Sequence, residues 1–231
     1  MLAISGRVTH SLPSHSSQTR VEPRAARTQS STSPAPLDWR RSLPTLSSPL
    51  VTVRQIELSD ATSLFETMTS EAVARFVATP PLDLDGFERF IERMRHEQQR
   101  GCYACFAVVP AGSTRAVGLF QVHALEPSFS TAEWGFALGM PHWGSGMFVD
   151  AAALVAGFAF GSLGVSRLEA RAAVGNGRGN GALRKLGAVR EAILRDAFLC
   201  RGQFHDVALW SILAADWRRA SAPRPLRVGV H

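Results

Sequence analysis

Two glycine-containing turns hold most of the chemistry that this sequence could perform. In Trp143-Gly144-Ser145-Gly146-Met147-Phe148, an apolar run passes through two glycines into residues of helical spacing. A strand that turns directly into a helix leaves backbone N–H groups unpaired at the helix's positive end, which suits a phosphate. Gly144 and Gly146 supply the conformational freedom. The segment is not a Walker A loop, because Gly146-Met147-Phe148-Val149 stands where Gly-Lys-Ser/Thr would be, so ATP chemistry is not expected. Taken alone, the turn reads equally well as a plain strand-to-helix connection.

The second turn, Gly175 to Gly181, contains Gly177-Arg-Gly-Asn-Gly-Ala182, which formally fits the dinucleotide pattern G-x-G-x-x-A, with Asp196 near the ribose-binding distance. The helix expected after it, Ala182 to Leu186, is too short for the crossover of a dinucleotide fold. A dinucleotide site is therefore the remote alternative. Cys102 and Cys105 form a C-x-x-C, a redox or zinc signal. They lie in a strand-like run in which residues three apart face opposite ways, so two reduced thiols and no metal are expected.

The elements that must position these turns follow from periodicity. Leu50 to Leu58 alternates as a strand, and Ser59 or Asp60 can cap a short helix through Leu64, Phe65 and Met68. Between Asp83 and Arg100, Phe87, Phe90, Ile91 and Met94 mark one amphipathic helix. Tyr103 to Val109, Ala116 to Val122 and Ala132 to Leu138 read as an antiparallel meander. Ala151, Leu154, Val155 and Phe158 give a helix after the first turn, followed by the strand Arg167 to Val174. Two long strands, Val189 to Leu199 and Phe204 to Leu213, complete an α/β (α+β) arrangement.

Composition separates the ends from this core. The cations are 24 arginines and one lysine, Lys185, and four of the net six positive charges fall before Pro49. Residues 1–48 are rich in Ser, Pro and Arg and read as a disordered tail, with a weaker likeness to a transit peptide. Residues 49–218 read as the catalytic domain and 219–231 as a C-terminal tail. The nearly neutral remainder argues against a nucleic-acid-binding face, although the tail could hold an anionic partner weakly. No apolar stretch reaches the ~18 residues of a membrane span, and no secretory signal is visible, so no membrane association and a cytoplasmic location are expected. Nothing chooses between monomer and homodimer.

Both turns, in this order and spacing, resemble the GNAT acyltransferase superfamily, more narrowly its ribosomal-protein-alanine N-acetyltransferase-like branch, over roughly Leu50 to Trp217. The match rests on Trp143-Gly-Ser-Gly146 leading into Asp150-Ala151, and on Asn176-Gly-Arg-Gly179 leading to Lys185-Leu-Gly187. Asp206 and Trp217 also fit the branch. The chain departs from it at Gly179, where the family carries Ser, and at Phe148, where it carries Gly or Ala. The resemblance implies a mixed, mostly antiparallel twisted sheet flanked by helices, splayed between the family's strands four and five by a bulge. It also implies acetyl-CoA as co-substrate, held by Ala137, Leu138, Trp143, Gly144, Ser145, Gly146, Met147, Phe148, Asn176 and Asn180. A backbone donor in the splay would stabilise the oxyanion of the thioester carbonyl, a term worth about 2.7–4 kcal/mol in oxyanion holes.

The implied reaction is acetyl transfer to a primary amine, on a protein N-terminus or a small molecule, by direct attack on the thioester. The attacking amine must be neutral, which favours an α-amino group with a pKa near 8 over a lysine near 10.4. Glu133 is the leading general base and Asp196 the second, the latter expected on the same strand face as Phe198. Asn176 would bind rather than transfer protons. With Gly179 lacking a side chain and the only tyrosine, Tyr103, on an early strand, solvent would protonate the departing thiolate. His142 stays outside the site. Gly179 and Phe148 also motivate the alternative of a CoA-binding sensor or catalytically weak relative.

Overall fold

The computed structural model describes residues 38–76, 81 and 83–221. The strands are β1 (Leu46–Ser47), β2 (Val51–Gln55), β3 (Tyr103–Pro110), β4 (Gly118–Ala124), β5 (Thr131–Leu138), β6 (Arg167–Ala173), β7 (Val189–Cys200) and β8 (Gln203–Leu213). The helices are α1 (Ala61–Thr69), α2 (Glu71–Ala74), α3 (Leu84–Gln99), α4 (Met147–Gly161), α5 (Gly177–Lys185) and α6 (Ala214–Ser221).

The strands form one sheet in the order β1-β2-β3-β4-β5-β6-β8-β7. All neighbours are antiparallel except β5 and β6, which the intervening helix α4 makes parallel. α1 and α3 cover one face. α3 starts where the Asp83 carboxylate accepts the Gly86 N–H at 2.7 Å, and it buries Phe87, Ile91, Met94 and Gln98 along one stripe. α1 is tied to β2 by a buried ion pair, Arg54 to Asp60 at 2.7 Å. The opposite face is packed by α4, whose Ala151, Ala152, Val155, Ala156 and Ala159 let the helix approach the sheet closely.

Both ends of the domain lie further out than composition suggests. Trp39 and Leu43 are buried in the core, Trp39 packs edge-on against Phe129 at 5.7 Å, and its carbonyl accepts from Gln98 Nε2 at 2.9 Å. Residues 39–43, read as part of the tail, therefore pack on the domain, because two apolar side chains inside a polar segment suffice to anchor it. At the other end α6 continues through Ser221 rather than stopping at 218. The rest of both tails lies outside the described residues. Among those described, no helix is long and apolar enough to cross a membrane. Cys102 is exposed and Cys105 buried, both as free thiols, and burial pushes the Cys105 thiol far up.

Candidate active site

The turn at Trp143 has the geometry that its glycines suggest. Gly144 and Gly146 adopt left-handed φ values of 80° and 88°, which side-chain-bearing residues adopt only with strain. Gly146 stands at the N-cap of α4 and offers no capping side chain; the Met147 N–H donates to Ser145 Oγ at 3.4 Å and the Val149 N–H to the Gly146 carbonyl at 3.0 Å. Ser145 Oγ donates to the His142 carbonyl at 2.7 Å, bracing the turn from within. Trp143 is fixed by its indole N–H, which donates to the Leu138 carbonyl at 2.7 Å, and carries the Arg178 guanidinium over its ring at 4.9 Å. Phe148 points away from this rim. Its ring packs on Phe136 at 4.7 Å and Phe120 at 5.6 Å, so the bulky residue fills the core and leaves the turn clear.

Beside this turn the sheet opens. β5 and β6 pair only at Thr131↔Arg167, Ala132↔Leu168 and Glu133↔Glu169, while β6 remains paired to β8 as far as Ala173. Beyond Glu133, the β6-facing backbone groups of β5 therefore have no strand partner along the edge. By alternation from Ser130, whose carbonyl accepts from Ser166 and Arg167 on that side, these are the Trp134 carbonyl, both groups of Phe136 and the Leu138 N–H, the Leu138 carbonyl accepting from the Trp143 indole. The expected splay is present, but the expected bulge is not. β5 keeps an unbroken register against β4 from Ala132 to Leu138, so the strands part because the ladder ends, not because β5 is kinked. Ala137 and Leu138, both buried, form the edge of the opening.

A polar cluster sits at the last rung. Glu133 is 1% exposed and ion-paired with Arg171 of β6 through a short contact. Arg171 also reaches Glu169 at 3.3 Å, and His123 Nε2 lies 4.0 Å from the Glu133 carboxylate. Burial, and secondarily the Arg171 charge, lowers the His123 pKa to about 4, so its imidazole is neutral at ordinary pH. Tyr103 stacks on His123 at 5.6 Å and donates its hydroxyl to Gln121. Arg171 and His123 escape a reading of the sequence alone, because the parallel register that seats Arg171 against Glu133 is set by α4 across 38 positions. The alternation Arg167, Glu169, Arg171 is the one signal that a charged strand face was present.

Asp196 is not part of this cluster. β7 shifts register between Leu194 and Phe198, and Asp196 takes a left-handed φ of 49° inside the irregularity. The expected shared face with Phe198 is thereby broken: Phe198 is buried while Asp196 is exposed and its backbone N–H donates to Asp206 Oδ1 at 3.0 Å.

The second glycine segment is helical from Gly177, so the expected loop from Gly175 to Gly181 shrinks to its first residues. Asn176 is buried and caps α5, its Oδ1 accepting the Gly179 N–H at 2.9 Å. A side chain at Gly179 would place Cβ 2.7 Å from Asn176 Nδ2, which accounts for glycine there. Asn180 donates to the Ala173 and Asn176 carbonyls at 2.9 and 2.8 Å and accepts from Trp210 Nε1 at 2.9 Å, so its amide serves the fold. Gly177, Gly179 and Gly181 are absent from the left-handed glycines, and the next strand pair is antiparallel. The dinucleotide alternative is overturned on both counts.

Two clefts meet at Ala72, Arg75 and Phe76. One, of about 440 Å³, has Trp143 on one wall and Gly175 to Arg178 on the other, closed by Ala72, Arg75 and Phe76. A second, of about 540 Å³, shares those three closing residues and runs to Cys200, Arg201 and His205 at the β7–β8 hairpin.

Comparison with known proteins agrees with this geometry. The model of the acetyltransferase (GNAT) domain matches residues 51–189. The uncharacterized N-acetyltransferase p20 of Bacillus licheniformis is 26% identical over 174 residues, covering 75% of this chain and 98% of p20. Among solved structures, the ribosomal-protein-S5-alanine acetyltransferase of Vibrio fischeri superposes with a TM-score of 0.69 at 18% identity, covering 75% of this chain and 98% of its own. A spermidine N-acetyltransferase chimera of Vibrio cholerae and human sequences gives 0.65 at 20% identity, covering 74% and 98%. At that identity both report the fold. Left-handed glycines at an uncapped helix, a sheet that parts beside them and a matching domain model agree: this chain belongs to the GNAT N-acetyltransferase family.

Proposed function

We propose that this protein transfers the acetyl group of acetyl-CoA to a primary amine by direct attack of the amine on the thioester. The observation that carries the reading is the parting of β5 from β6 after Glu133 and Glu169, next to the uncapped N-terminus of α4. Acetyl-CoA, when bound, supplies the activated acyl group. The residues present fit it: the turn from Trp143 to Phe148 offers N–H groups to a pyrophosphate, and an added Cβ at Gly144 would meet nothing within 4 Å, leaving that rim open. Ala137 and Leu138 would flank the thioester arm, with a β6-facing N–H of β5 positioned to donate to a carbonyl oxygen. Asn176 would contribute chiefly by holding α5 in place, since its side-chain oxygen caps that helix.

Glu133 is preferred to Asp196 as general base, because it lies on the last rung beside the opening while Asp196 sits exposed in the bulge of β7. Glu133 is ion-paired with Arg171, and at 1% exposure its carboxylate would take the amine proton through a water molecule. Gly179 has no group to protonate the departing thiolate, which leaves solvent. The sensor alternative loses one of its two motives, since Phe148 packs into the core. The named relatives act on a ribosomal-protein alanine and on spermidine, so acceptors from protein N-termini to small amines fall within this reading.

The test is release of free thiol from acetyl-CoA with a panel of peptide and small amines. Turnover is expected with at least one amine, and Glu133→Gln should lower kcat about 10²- to 10⁴-fold, the range of general-base catalysis. Tight acetyl-CoA binding with no turnover for any amine would overturn the reading in favour of a sensor.

A further inference from the structure

The second cleft meets the first at Ala72, Arg75 and Phe76 and runs to the β7–β8 hairpin, away from the Trp143 turn, and its walls are cationic. Arg75 and Arg201 line it with His205, against the single carboxylate of Glu71. Neither arginine forms an ion pair among the described residues, and Arg75 is held over the Phe76 ring at 4.9 Å. Arg178 adds a third guanidinium in the adjoining first cleft. Asp196 and Asp206, the acids nearest in sequence on the hairpin, line neither cleft.

Resting on the acetyltransferase reading, we infer that the acceptor is an amine bearing a carboxylate close to its reactive nitrogen, of the kind an acidic peptide N-terminus presents, and not a polyamine. An arginine is always charged and meets a carboxylate through two parallel N–H groups, so Arg75 and Arg201 would hold the acid while the amine lies toward the opening. A polycation entering the same cleft would meet two or three guanidinium groups and one carboxylate, and like-charge juxtaposition rejects it.

The experiment compares kcat/KM of the wild-type protein for Ala-Asp-Glu-Ala, Ala-Ser-Gln-Ala, Ala-Lys-Arg-Ala and spermidine at low and high salt. The acidic peptide is expected to lead the basic one by at least tenfold at low salt, with the gap narrowing as salt rises. Equal or better use of the basic peptide or spermidine would overturn the inference while leaving acetyl transfer intact. No thiol release from any of the four or from a wider amine panel would instead overturn the acetyltransferase reading. In the variant arm, Arg75→Gln with Arg201→Gln should raise KM for the acidic peptide about three- to tenfold, with KM for acetyl-CoA unchanged. An unchanged KM for the acidic peptide would also overturn the inference.

Discussion

The two glycine turns look alike as strings and differ as structures. Gly144 and Gly146 are both left-handed, and the helix that follows them has no side-chain cap. Gly177, Gly179 and Gly181 are simply helical, and the helix that holds them is capped by a buried asparagine and pinned by another. The second turn thus spends its Gly179 N–H on the Asn176 side chain, whereas the first has no N-cap side chain to do so. Glycine at a helix start therefore signals an anion site only where nothing else satisfies the orphan donors.

Three substitutions separate these roles. Phe148→Ala should have the largest effect on stability, about 2–3 kcal/mol given that the ring is half-buried against Phe120 and Phe136. Denaturant unfolding would measure it. If the variant instead kept its stability and changed only acetyl-CoA affinity, the ring would belong to the turn's rim after all. Gly146→Val should come next, because a β-branched residue at φ 88° is strained and its Cβ would lie 3.2 Å from Leu50 Cδ1. Acetyl-CoA binding measured by calorimetry should weaken about tenfold or more, equivalent to ~1.4 kcal/mol. Unchanged binding would remove the phosphate assignment. Asn176→Ala should have the smallest effect, losing about 1 kcal/mol of stability with its cap while acetyl-CoA binding falls less than for Gly146→Val. A larger loss of binding than of stability would make the second turn a ligand turn too.

Much of the fold was legible before any coordinates. The stripe Phe87, Ile91, Met94 on α3 and the three-stranded meander from Tyr103 to Leu138 appear where periodicity placed them, because a half-buried helix or strand must alternate to keep polar groups wet. The Trp143 turn was legible only together with the second turn, since its glycines alone fit a plain strand-to-helix connection equally well. Trp39 and Leu43 were missed because two anchors in a Ser/Pro/Arg segment do not change its composition. Asp196 was misplaced because one irregularity in β7 inverts strand alternation, and alternation was the whole argument for its face.

The sequence by itself determined most of the elements, the family and the position of the left-handed glycine turn at Trp143, which depend on residues close along the chain. Tertiary structure decided the rest. The pairing of Glu133 with Arg171, the end of the β5–β6 ladder and the approach of Arg75 to Arg201 at one cleft each join residues from separate elements. Their register is set by how α4 and the β7–β8 hairpin pack on the sheet, and a local pattern contains no record of that packing.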